Sequence, residues 1–188
     1  MFSLKEYFPD HSENRMKNEG DVAGAREFYI THKPNNLFML LKARYGWMNE
    51  FLEGKQKIIE LGAGAGFSKF FLDKDIILTD VVKHDWIDLR IDALNPEIED
   101  ESVDVIICSH MIHHLASPVN FFEIVSKKLR KDGLIIIQEI ETSLVMKILL
   151  RIMRHEGWSD SVDVFDKSVV CNQESDPWSA NCSIPKLL

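Results

Sequence analysis

Hydrophobic and polar positions divide this chain into segments of different period. From Pro34 onward, Leu37, Leu41, Tyr45, Met48 and Leu52 recur at steps of three and four, which predicts an amphipathic helix. Lys57 to Leu61 is a short, mostly apolar run that predicts a buried strand, and Gly62, Gly64 and Gly66 follow it at alternate positions. The polar–apolar pattern resumes at Phe67 to Leu72, so the glycines read as a turn that opens a helix. Lys74 to Asp80 predicts a second strand ending in an acid, Trp86 to Ala93 a third, and Ser102 to Ser109 a fourth. Ser117 and Pro118 mark a helix start, with Phe121, Phe122, Val125 and Leu129 inward and Gly133 as the stop. A fifth strand is predicted over Leu134 to Glu139. Ser143 to His155 sets Leu144, Val145, Ile148, Leu149 and Ile152 against Lys147, Arg151 and Arg154, a stripe suited to covering a sheet. Met1 to Gly24 is a polar lead-in. From Glu156 only Val162 to Phe165 looks strand-like, and the rest is an irregular tail.

Strands alternating with helices predict an α/β fold on a parallel sheet. A strand, a glycine turn and a helix together build a nucleotide-type pocket at the strand's carboxyl end. Glycine suits that turn because it takes positive φ and lets a ligand approach the main chain. A dinucleotide site would offer N–H groups and a helix end to a pyrophosphate anion. Glu60, two residues before Gly62, would repel that anion and suit a cation. S-adenosylmethionine carries a sulfonium and an ammonium group and no phosphate. Asp80 lies where an acid able to accept both hydroxyls of a ribose is expected.

Glu60 with Gly62, Gly64 and Gly66 resembles the first motif of the class I S-adenosylmethionine-dependent methyltransferases. The resemblance runs from Lys57 to Ile140. Asp80, the Asp92-Ala93 strand end, the fourth strand with His110, His113 and His114 after it, and Leu129 to Glu139 follow in the family's order. It implies a three-layer Rossmann-like sandwich with a mostly parallel central sheet, the family's last strands being missing or reduced here. It also implies S-adenosylmethionine as cofactor, held by Glu60, Gly62, Ala63, Gly64, Gly66, Asp80, Val81, Asp92, Ala93, Ser109 and His110, with Asp92 accepting from the adenine amino group. The family's usual helix between strands two and three has no room in Val81 to Asp85. That region resembles a subgroup with a loop bearing a Trp, so Trp86 either covers the adenine or packs on the sheet edge; packing is the commoner use of a large aromatic.

The expected division is a lead-in and lid helix over 1–54, a cofactor-binding core over 55–155 and a substrate-side tail over 156–188. The expected reaction is in-line methyl transfer to a small-molecule acceptor. His113 and His114 lead the candidates for a general base, beside His110, Glu139 and Glu141, while His155 and Glu156 are candidates for substrate contact. The blander reading packs one of His113 and His114 in the core. Two other functions fit less well. One is a methyltransferase-like binding or regulatory protein without turnover. The other is an NAD-dependent oxidoreductase, which Glu60 and the glycine spacing oppose.

Composition narrows the partners. The chain has 188 residues, enough for one domain, and a formal net charge of −8, which opposes non-specific nucleic-acid binding. Three cysteines, Cys108, Cys171 and Cys182, are too few for a disulfide framework or a zinc site, so no metal is expected. Reduced thiols and the lack of a signal peptide favour the cytoplasm. No apolar run reaches membrane-spanning length. The apparent loss of terminal strands and the apolar end at Leu187-Leu188 favour a fragment of a longer reading frame. Oligomeric state is not legible.

Overall fold

A computed structural model describes residues 22–115 and 118–139, and residues 143–145, 148, 165 and 167 beyond them. Its strands are β1 (Ile58–Leu61), β2 (Ile77–Asp80), β3 (Leu89–Arg90), β4 (Val103–Ser109) and β5 (Leu129–Gln138), and its α-helices are α1 (Val22–His32), α2 (Asn35–Tyr45) and α3 (Pro118–Lys128). The strands form one sheet in the order β3-β2-β1-β4-β5, with every neighbouring pair parallel. That is the α/β, Rossmann-like arrangement expected from the sequence. The order reverses between β1 and β4, the kind of switch point outside which such sheets bind ligands. All four residues of β1 are buried, and β4 is buried except at Asp104. That explains their nearly unbroken apolar runs.

The described residues fall into two compact units. One comprises Asp21–Ser109 and Glu123–Gln138 and holds the whole sheet; the other includes His110–Phe122 and Glu139. In the first, Leu41, Tyr45, Met48 and Leu52 are buried in one core with Ile58, Leu78, Ile107 and Ile136, and Leu37 packs against it. The predicted apolar stripe is therefore the buried one. The helix under it is α only to Tyr45 and continues as a 3₁₀ turn over Gly46–Phe51. The Trp47 indole N–H donates to Arg44 O at 2.8 Å, the carbonyl that an α-helix would give to the Met48 N–H.

Four sequence expectations need correction. α1 overlaps the expected lead-in only at Val22 to Gly24 and otherwise occupies a stretch with no predicted element; only Tyr29 of it is buried, so no apolar stripe announces it. The glycine turn opens a four-residue 3₁₀ turn, Phe67–Phe70, rather than a full helix. Asn49 ends that segment by donating to Phe71 O at 3.0 Å and accepting from the Asp73 N–H at 2.9 Å. The third strand shrinks to two residues, because Asp88 uses its side chain to accept from the Leu78 N–H at 2.8 Å. Finally, α3 ends at Lys128, and Gly133 lies inside β5 instead of stopping the helix. The β4–β5 register slips between Val103 and Val105, which face Leu129 and Leu134. In this bulge Asp132 has φ 63°, and a Cβ on Gly133 would stand 2.9 Å from Arg130 O.

Ser117, Met1 to Asp21, and all of the tail from Glu156 except Phe165 and Lys167 lie outside the described residues. Of the predicted helix over Ser143 to His155, Ser143, Leu144, Val145 and Ile148 are described, and the rest lies outside the described residues. Among the described residues no strand follows β5, and no helix is long and apolar enough to cross a membrane.

Candidate functional site

Gly62, Gly64 and Gly66 have φ of 67°, 50° and 63°, the left-handed region that other residues adopt only at a cost. Their backbone is tied from several sides. The Ala63 N–H donates to Thr79 O at 2.9 Å, and the Gly66 N–H to Ala63 O at 2.8 Å. The Gly64 N–H donates to Asp80 Oδ2 at 2.9 Å, and Gly64 O accepts from Trp86 Nε1 at 2.8 Å. Gly64 is thus held at both ends of its residue, while a Cβ placed on it would meet nothing within 4 Å. Gly66 differs: a Cβ there would lie 2.7 Å from Leu78 Cδ1 and 3.0 Å from Trp86 Cδ1. One glycine faces open space and the other permits close packing.

Asp80 ends β2 beside this turn. Its second oxygen, Oδ1, accepts from the Val82 N–H at 3.0 Å. Trp86 is half-buried, packs against the main core and stacks on His84 with the rings 2° from parallel. It therefore packs, as the commoner expectation had it, and also binds the glycine turn. Above it lies a residue with no sequence signal. Arg26 of α1 donates to Ala65 O at 2.6 Å and, more weakly, to Gly66 O at 3.4 Å, with its guanidinium 4.9 Å from the Trp86 ring and 5.0 Å from Phe70.

Glu60 is buried in β1. The Ser68 hydroxyl donates to its Oε2, and Thr79 Oγ1 donates to Glu60 O at 2.8 Å. Burial pushes the carboxyl up to about 7, and nearby Asp80 adds to the rise while Ser68 and Arg44 oppose it. Tyr45 is pushed up to about 12 by burial and by Glu60. Ser109 and Arg44 beside the phenol offset part of that rise. Gln138 Oε1, on a residue paired in register with Ser109 at the carboxyl ends of β5 and β4, is buried and has no hydrogen-bond partner among the described residues. Orphaned polar atoms of this kind call for a ligand group or a water.

The remaining sequence candidates are placed less closely. Ala63 and Ala93 are buried, and Val81 is exposed with its carbonyl accepting from Arg90 Nε at 2.9 Å. Asp92 is exposed and forms a turn, its Oδ1 accepting from the Leu94 N–H at 2.9 Å. His155 and Glu156 lie outside the described residues.

The second unit holds its own polar constellation. His110 has φ 55°, unusual for a residue with a side chain. Glu139 Oε1 accepts from the Met111 and Ile112 N–H groups at 3.1 and 2.7 Å, capping the 3₁₀ turn Ile112–His114. Its other oxygen pairs with His113 Nδ1 at 2.6 Å. Burial raises the Glu139 carboxyl, but His113 and the Ile112 N–H outweigh it and hold it below the usual range. His113 is buried, and half-buried His114 lies against it with ring centroids 4.0 Å apart. Glu139, one of the candidate bases of the sequence, is therefore paired with His113, another of them.

Residues 59–137 match the family model of a methyltransferase domain. No curated protein matches this chain. Matching solved structures include the YcgJ protein of Bacillus subtilis, 18% identical, with 57% of this chain and 56% of that one covered and a TM-score of 0.47. A SAM-dependent methyltransferase of Archaeoglobus fulgidus is 24% identical, with 62% of this chain and 60% of that one covered and a TM-score of 0.49. The methyltransferase CalH in complex with S-adenosylhomocysteine is 18% identical, with 61% and 38% covered and a TM-score of 0.42. The chain thus spans less than two thirds of the length of each.

Proposed function

We propose that this chain, whose residues 59–137 match the family model of a methyltransferase domain, is a class I S-adenosylmethionine-dependent methyltransferase that acts on a small-molecule acceptor. The observation that carries the reading is the junction of Asp80 with the Gly64 N–H, beside a glycine whose Cα faces open space. S-adenosylmethionine is the cofactor, and when bound it supplies an electrophilic methyl carbon for in-line displacement.

The chain's residues suit that group. Each Asp80 oxygen takes one backbone N–H, and a carboxylate has about four acceptor positions, so capacity remains for two ribose hydroxyls. Glu60 provides carboxylate character beneath the turn, where a cationic ligand favours its charged form. Gly64 leaves its side open to the ligand, and Gly62, Ala63 and Gly66 are the further proposed backbone contacts of the turn. Val81, Asp92 and Ala93 flank the base, with Asp92 accepting from the adenine amino group through the oxygen not engaged by Leu94. Ser109 and His110 complete the set.

On the acceptor side we assign the base role to the His113-His114 pair, with Glu139 fixing the His113 ring. His155 and Glu156 remain proposed substrate contacts. The net charge of −8 supports a small acceptor over a polyanion, and the proposed location is cytoplasmic. The nicotinamide alternative is opposed by Glu60 and by the spacing of the glycines. Incubation with methyl-tritiated cofactor and a fractionated cell extract tests the reading. Label is expected in the low-molecular-weight fraction; label confined to nucleic acid or protein would overturn the acceptor class.

A further inference from the structure

A turn with three glycines in five residues has more conformational freedom than any other stretch of comparable length, and ordering it opposes ligand binding. In this protein the three successive carbonyls at its apex are engaged from one side. Trp86 Nε1 donates to Gly64 O at 2.8 Å, and Arg26 Nη1 donates to Ala65 O at 2.6 Å and leans toward Gly66 O at 3.4 Å. The two donors are coupled, since the guanidinium lies over the Trp86 ring at 4.9 Å. The Cβ position of Gly66 is bounded by Leu78 and by these same two side chains, Arg26 Nη1 being 3.2 Å away.

We propose that Arg26 and Trp86 are positioning residues that hold the glycine turn in its left-handed path before the cofactor arrives. The inference rests on the reading that this turn carries S-adenosylmethionine. Pre-ordering a flexible element raises affinity by removing the entropy lost on binding, with no contact to the ligand required. Arg26 comes from α1, so this helix serves the cofactor site through the backbone of the turn. Tyr29 anchors α1 separately, buried among Phe67, Phe70 and Phe71, so loss of the Arg26 contacts leaves the helix attached.

The test is titration calorimetry with S-adenosylhomocysteine on the full chain and on Arg26→Met, Arg26→Lys, Trp86→Phe and the Arg26→Met/Trp86→Phe pair, at a temperature where melting curves show each folded. Trp86→Phe keeps the aromatic packing and removes the N–H. Each of Arg26→Met and Trp86→Phe should raise Kd roughly three- to tenfold, the worth of a lost hydrogen bond, through a less favourable entropy. The pair should fall short of the product, because the two side chains touch. Arg26→Lys should recover part of the affinity, keeping the charge over the ring and one donor. A purely structural role would lower melting temperature and leave Kd unchanged in the folded variants, which would overturn the inference. If the unaltered chain itself fails to bind, the cofactor reading falls instead.

Discussion

The two glycines that the sequence presents as equivalent are not equivalent in space. Gly66 stands against Leu78 and Trp86, whereas Gly64 faces an opening, though both have positive φ. Gly66→Ala should therefore lower unfolding stability by roughly 1–3 kcal/mol from overpacking and backbone strain. Gly64→Ala should cost less in chemical denaturation and far more in cofactor affinity, since its methyl enters ligand space. Equal stability losses with unchanged affinity would show that the opening is not the binding side. Glu60 carries a second residue-scale prediction. The unfolded carboxyl loses its proton near 4.5, while the folded one keeps it up to about 7. Its contribution is fully present below 4.5 and is lost as pH rises through 7. The unfolding free energy of the native chain relative to Glu60→Gln should fall across that window, by at most about 3 kcal/mol, and then level off. A flat difference in urea titrations from pH 4.5 to 7 would contradict the burial argument.

Among the elements, those legible in the sequence were the ones whose core period ran unbroken. The stripe from Leu37 to Leu52 and the apolar runs of β1 and β4 needed no tertiary knowledge. What failed were places where a side chain stands in for backbone. Asp88 replaces part of a strand, Trp47 takes the Arg44 carbonyl where α2 passes into a 3₁₀ turn, and Asn49 closes the segment after the glycines. α1 was missed because it buries Tyr29 alone and is held by Arg26, a polar contact with a loop 39 residues away in sequence. Such contacts leave no periodic trace. Asn49→Ala removes both bonds to the segment at once and should lower stability by roughly 1–3 kcal/mol, read from the denaturant midpoint at constant m. No change would mean that chain length alone shortens the helix after the glycine turn.

For the whole molecule, the alternation of strands and helices was sufficient to predict a parallel sheet, and the strand order places its reversal beside β1, next to the glycine turn. The acid at the end of β2 and the glycines after β1 are joined by one hydrogen bond, a contact the motif spacing implied without showing. Asp92 was legible only by resemblance, and its turn-forming geometry gives it a weaker claim than Asp80. The second unit's His113–Glu139 pair needed coordinates, because 26 residues separate the partners. The central claim is that this turn and Asp80 hold an adenosine-containing sulfonium cofactor rather than a dinucleotide. Titration calorimetry of the full chain and of Asp80→Ala, each with S-adenosylhomocysteine and with NAD, tests it most directly. The account predicts saturable binding of S-adenosylhomocysteine, weakened by roughly 1.5–3 kcal/mol in Asp80→Ala, and no heat of binding with NAD. Binding of NAD alone, or S-adenosylhomocysteine affinity indifferent to the loss of the Asp80 carboxylate in a folded protein, would contradict it.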